Sequence, residues 1–118
     1  MYQENVNDFC EVHWTSGSID EARKISRFLV QERLVACAQI IPWIESIYLW
    51  NQQLETSQES KIVLKTLKQN CAKIEEIIKA NSSYEVPEII YMHIDGGSAD
   101  YLDWLAECTT SKDQMPPL

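Results

Sequence analysis

Few side chains in this chain are equipped for chemistry, and their spacing limits what they can do. There are four cysteines, Cys10, Cys37, Cys71 and Cys108, and two histidines, His13 and His93. Thiolate and imidazole are the natural donors for copper and zinc. The cysteines are spread along the chain without a C-x-x-C pair, so no local metal-binding pattern exists. In a reducing compartment they read as small buried hydrophobes. His13 and His93 sit in strand-like stretches and read as surface imidazoles. No Ser/His/Asp or Cys/His arrangement for nucleophilic catalysis stands out. Gly96-Gly97 is only a pair, not a glycine-rich phosphate loop.

The elements that must position these groups come from a single domain's worth of sequence, 118 residues. The formal net charge is −8. No basic stripe is present, which argues against nucleic acid, and an acidic surface disfavours anionic membranes. Met1 to Asp8 is polar and no apolar signal core follows it. No stretch approaches the ~20 apolar residues of a membrane span. These features predict a cytoplasmic protein. Residues 1–8 read as a flexible N-terminus, 9–108 as the domain, and 109–118, with Pro116 and Pro117, as a C-terminal tail.

Phe9 to Thr15 alternates Cys10, Val12 and Trp14 with Glu11 and His13, the period of a half-buried strand. Ser18-Ile-Asp-Glu21 is a capping box. The helix after it has Ala22, Ile25, Phe28 and Leu29 on one face. Val35 to Trp50 is β-rich but interrupted by Pro42, which predicts a bulge or bend. Asn51-Gln-Gln-Leu suggests a hairpin turn into a strand over Glu59 to Thr66. A helix over Asn70 to Asn81, a strand over Tyr84 to Asp95 and a Ser98-capped helix through Cys108 complete the chain. The order β-α-β-β-α-β-α predicts an α+β fold of the ferredoxin-like type: an antiparallel sheet with helices on one face.

The middle strands are apolar on both parities. Ile40, Ile44, Tyr48 and Trp50 stand on one; Ile41, Trp43, Ile47 and Leu49 on the other. Helices on one side cover only one face. The second is too large a patch to leave in water and predicts association with further copies of the chain.

Five stretches then resemble the CutA divalent-cation tolerance family. They are Arg33-Leu-Val-Ala-Cys37-Ala-Gln-Ile-Ile-Pro42, Ser46-Ile-Tyr48-x-Trp50, Glu59 with Lys65-Thr66, Tyr84-Glu-Val-Pro87-Glu88, and Tyr101-Leu-x-Trp104. They run in family order across roughly residues 9–108. The resemblance implies a homotrimer and a non-enzymatic role in tolerance of divalent metals, copper above all, with Cys37 as the metal-contacting residue. Two departures stand out. Ser82 and Ser83 occupy the place of a histidine and a proline, and Gln52 that of a turn glycine. The lost glycine suggests a longer hairpin.

Cys37 has two readings, core packing in an apolar strand or metal contact. Trp50, Glu59, Lys65, Tyr84 and Glu88 form the candidate inter-subunit cleft, since charged and phenolic groups on apolar strands need partners. They serve either as a network fixing subunit register or as a pocket for a cation or small ligand. Trp43, Tyr48 and Trp104 are the candidate interface aromatics. The alternative function is a trimeric small-molecule sensor like the PII-type signalling proteins, with ligands in inter-subunit clefts. An acylphosphatase-like enzyme needs an arginine-bearing phosphate loop, and Trp14-Thr-Ser-Gly-Ser18 has none.

Overall fold

The computed structural model describes residues 8–109. The expected flexible ends, 1–8 and 109–118, fall almost wholly outside the described residues. Eight elements follow one another: β1 (Phe9–Ser16), α1 (Ile19–Gln31), β2 (Cys37–Trp50), β3 (Gln53–Leu67), a short 3-10 turn (Lys68–Asn70), α2 (Cys71–Asn81), β4 (Ile89–Ile94) and α3 (Ala99–Cys108). The strands form one antiparallel sheet in the order β2-β3-β1-β4. This is the expected α+β topology, two βαβ units interleaved about a hairpin.

Alternation fixes which face each strand buries. Cys10, Val12 and Trp14 of β1 point to one side with Ile62 and Leu64 of β3. There they meet Ala22, Ile25 and Leu29 of α1 and Ile74, Ile77 and Ile78 of α2. Helix and strand periods agree on this layer, so the main core forms. α3 lies outside the βαβ repeat. Its Leu102 and Leu105 pack on Phe9 and Leu67, which stand on the opposite parity at the end of the sheet.

β3 runs longer than the sequence suggests, whereas β2 keeps the expected end at Trp50. β3 begins at Gln53, six residues before the expected Glu59. The register slips between Ile41 and Ile44, around Pro42, where a missing N–H breaks the ladder. Ser60 Oγ donates to the Pro42 carbonyl at 2.9 Å and holds the bulge. Beyond it, residues 44–58 form a two-stranded ribbon paired only within itself. Its apolar side chains are bare: Ile47 is 65%, Leu49 70% and Leu54 73% exposed.

The lost glycine does not lengthen the hairpin. Asn51 and Gln52 close it as a two-residue turn with φ of 52° and 66°. Both angles match the primed turn whose twist suits paired strands. β4 is shorter than expected, starting at Ile89. Pro87 cannot join a ladder and biases its predecessor, so Tyr84 to Glu88 is a loop.

α1 ends on Arg33, φ 61°, in the left-handed conformation normally taken by glycine. The Arg33 N–H donates to Val30 O at 3.0 Å and the Leu34 N–H to Leu29 O at 2.9 Å, a Schellman closure. The Arg33 side chain reaches the last carbonyls of α3, with Nε donating to Cys108 O at 3.3 Å and an Nη to Glu107 O. A cation there also suits the negative helix end.

Gln52 carries a Cβ in a conformation that costs about 1 kcal/mol or more for a non-glycine residue. Gln52→Gly is expected to stabilise the fold by about 0.5–1 kcal/mol, the gain being trimmed by the freer unfolded chain. Urea unfolding of the two proteins measures it, and a lower midpoint for the glycine variant contradicts the turn geometry.

Candidate functional site

A cleft of about 460 Å³ opens where the ribbon leaves the sheet. Thr15, Tyr48, Trp50, Glu55, Glu59, Tyr84, Glu85, Val86 and Glu88 line it. It combines two phenols, an indole and four carboxylates.

The cleft is organised by Glu59. Its position on β3, next to the end of β1, leaves it 8% exposed. A buried carboxylate needs a donor, and Tyr84 supplies one: its O–H donates to Glu59 Oε2 at 2.8 Å. Tyr84 reaches Glu59 by crossing directly over Gly17. A Cβ at Gly17 would stand 2.8 Å from the phenol oxygen. Glycine is therefore required there for close approach, while its backbone conformation is ordinary.

The loop that carries Tyr84 is tied from below by Glu21. The sequence assigns Glu21 to a reciprocal capping box, and the structure divides that box. The Glu21 N–H donates to Ser18 Oγ at 3.2 Å, as expected. The Glu21 carboxylate turns away from Ser18, accepting from Ser16 Oγ at 2.7 Å and from the Ser83 N–H at 2.9 Å. Ser16 Oγ in turn accepts the Ser18 N–H at 3.2 Å. Ser82 Oγ accepts from the Tyr84 N–H at 3.1 Å and sets the turn. Ser82 and Ser83 thus each have a structural task.

Burial, and then the hydrogen bond to Glu59, push the Tyr84 phenol up to about 12. Lys61 Nζ lies 3.8 Å from Glu88 Oε2 across the rim. Tyr48 Oη and Ser57 Oγ share a hydrogen bond of 2.7 Å on the ribbon.

Trp50, Glu59, Tyr84 and Glu88 line this one cleft of the single chain, and Tyr48 joins them. Lys65 does not. It shares the β3 face of Glu59 but lies six residues along the strand, about 20 Å away. There its Nζ donates to Gln39 Oε1 at 2.8 Å and stands 6.0 Å from the centre of the Tyr101 ring. Lys61, two residues from Glu59, is the lysine at the cleft; both lysines share the parity of Glu59, and distance along the strand separates them. Cys37 opens β2 opposite Lys65, half-buried and away from the cleft. Trp43 is exposed at the Pro42 bulge, and Trp104 is half-exposed beside Tyr101, with ring centres 5.5 Å apart. Glu55 and Glu85 escape sequence reasoning. Starting β3 at Glu59 hides the first, and reading Tyr84 to Glu88 as strand hides the second.

Among the described residues, no three His, Cys, Asp or Glu side chains converge as a metal site. The cleft offers hard oxygen donors, which suit magnesium, calcium or manganese better than copper. His13 is engaged elsewhere, its Nε2 2.9 Å from Glu11 Oε1 on β1.

The profile of the CutA1 divalent ion tolerance protein family matches residues 10–108. The divalent-cation tolerance protein CutA of Thermus thermophilus is 42% identical over 95 residues, 80% of this chain and 92% of that protein. The chloroplastic protein CutA of Arabidopsis thaliana is 37% identical over 98 residues, 83% of this chain. This chain spans about half of that plant relative's length, 54%. A solved structure of the periplasmic divalent cation tolerance protein CutA from Archaeoglobus fulgidus superposes with a TM-score of 0.81 at 30% identity, covering 85% of this chain and 97% of that one.

These relatives correct the cytoplasmic placement expected from the sequence. One is named chloroplastic and another periplasmic. Compartment is carried by receptor-read addresses, not by the charge or apolar content of a folded domain, so the composition of the domain did not determine it.

Two substitutions test the Tyr84 latch. Tyr84→Phe removes the donor to a buried carboxylate and is expected to cost about 1–3 kcal/mol, and Gly17→Ala, by displacing the ring, a similar amount. Between pH about 10 and about 12 the native state holds a phenolic proton that the unfolded chain releases, so stability falls as pH rises through that window. Denaturant unfolding across this range is expected to show a shallower alkaline loss in Tyr84→Phe; an unchanged slope contradicts the latch.

Proposed function

The chain belongs to the CutA1 divalent ion tolerance family, and from that premise we propose that it works as a homotrimer whose acidic clefts hold divalent cations weakly, without covalent catalysis. The observation that supports the trimer is the ribbon at 44–58, with apolar residues bare on both faces. A lone two-stranded hairpin is marginal in water, and copies packing on it would bury what the single chain leaves exposed. Trp43 at the bulge, Tyr48 and Trp50 of the ribbon, and Trp104 of α3 are exposed aromatic groups available for such contacts.

The cleft supports the cation reading through its charge. Glu55, Glu59, Glu85 and Glu88 bring four carboxylates to one opening, with Lys61 at its rim. Oxygen donors from one chain fall short of a closed shell, which suits weak binding completed at a subunit boundary. The copper-specific part of the reading rests on Cys37, as the family resemblance implies. One thiol is not a site, and the clustering of His, Cys, Asp and Glu among the described residues does not supply its partners. The PII-like alternative draws on the same cleft, whose aromatic walls, Tyr48, Trp50 and Tyr84, suit a small organic ligand.

Sedimentation at low concentration is expected to give a trimer, and Leu49→Arg a smaller species; a wild type that stays monomeric overturns the assembly. Titration with manganese and with copper is expected to weaken at least tenfold in the Glu59→Gln/Glu88→Gln double variant. Cys37→Ser is expected to lower copper binding alone. Equal, feeble binding by all three proteins would sink the cation reading. A nucleotide thermal-shift screen then reads the sensor alternative, since a ligand at 100 times its Kd stabilises by about 2.7 kcal/mol.

A further inference from the structure

Cys10 and Cys71 face each other inside the core, Sγ to Sγ at 3.0 Å. They are 4% and 3% exposed. Cys10 sits on the helix-facing side of β1, opposite Thr66 on one neighbour and His93 on the other. Cys71 is the first residue of α2, directly after the 3-10 turn. Both backbones are held. β1 is paired along both edges, and the Tyr91 hydroxyl of β4 donates to the Cys71 carbonyl at 3.2 Å. The one proton of that hydroxyl is shared with the Glu75 carboxylate, which Lys79 grips at 2.7 Å. Cys37 and Cys108 lie elsewhere, at the start of β2 and the end of α3.

A disulfide bond is about 2.05 Å long, so closing this pair asks the sulfurs to approach by about 1 Å. We propose that Cys10 and Cys71 are a redox pair that closes to a disulfide joining β1 to α2 when the protein meets a low-molecular-weight disulfide such as oxidised glutathione.

The step balances without any metal. One cysteine, as thiolate, attacks a sulfur of oxidised glutathione; the glutathione S–S bond breaks and one glutathione thiolate leaves and takes up the released proton. The second cysteine, as thiolate, attacks the protein sulfur of the mixed disulfide. The second glutathione leaves and is protonated in turn. Two protein thiols are oxidised and one glutathione disulfide is reduced to two thiols. At rest, burial and then the neighbouring Cys10 push the Cys71 thiol well above its ordinary range, so it stays neutral and unreactive. Exchange therefore passes through local opening. Once formed, the bond spans 61 positions of the sequence and restricts the unfolded chain accordingly.

The test refolds the full chain from denaturant in equal oxidised and reduced glutathione and incubates native protein beside it until the two agree. Mass spectrometry of alkylated, digested protein is expected to find one Cys10–Cys71 linked peptide pair, lighter by two hydrogens. The unfolding midpoint is expected to rise on the order of 10 °C over the reduced protein, and not to rise in Cys10→Ala. The Cys37→Ser/Cys108→Ser variant keeps the pair intact, so it carries the test even if Cys10→Ala fails to fold. Cysteines 10 and 71 that still alkylate after refolding, or a disulfide through Cys37 or Cys108 instead, overturn the proposal.

Discussion

A two-stranded ribbon with apolar side chains on both faces leaves them bare among the described residues, and much of this structure follows from that. The helices α1 and α2 cover one side of the sheet as far as Ile40 and Ile62. Past the Pro42 bulge no helix among the described residues covers β2 and β3, which carry on for another four pleats. Tight pairing holds the ribbon together: a two-residue turn closes one end and a pinned bulge the other. Its rigidity places Tyr48 and Trp50 against the 84–88 loop and so creates the cleft. Surface hungry for partners and a polar pocket thus arise from one extension of one hairpin.

The cleft shows how a buried acid can be accommodated without a cation. Glu59 is satisfied by a neutral phenol, a donor that adds no charge. The cleft therefore keeps its negative character, with Lys61 only at the margin. Had Lys65 occupied this place, as strand parity permits, the pocket would hold a closed ion pair and little field for a cation. The fold spends Lys65 on Gln39 and the Tyr101 face instead.

The topology was legible because local signals agreed: alternation in β1, a cap before α1, a 3.6-residue stripe in α2, and Gly96-Gly97 before α3. The bulge was legible from one proline. The length of β3 was not, since residues 53–58 are polar and Ser/Thr/Gln-rich, and pairing with β2 overrides their weak propensity. The left-handed turn at Gln52 was likewise hidden, because tertiary pairing imposes a conformation its side chain does not favour. In the site, residues on strands followed from parity, whereas Glu21, Ser16 and Gly17 were out of reach. Their roles depend on where a distant loop, 82–84, comes down, and a long-range contact leaves no periodic trace. The thiol pair was hidden for the same reason, 61 positions apart in sequence.

Arg33 serves two helices at once. Its backbone, in a glycine-like conformation, ends α1, while its guanidinium closes the last turn of α3. The two duties favour opposite residues. Glycine would suit the first and abandon the second; lysine would keep a charge but lose the planar fork and retain the backbone cost. No single replacement improves one helix without harming the other. Such a position is an evolutionary trap: it can drift only if α3 first acquires a different ending, so the fates of two helices far apart in the chain are bound to one codon.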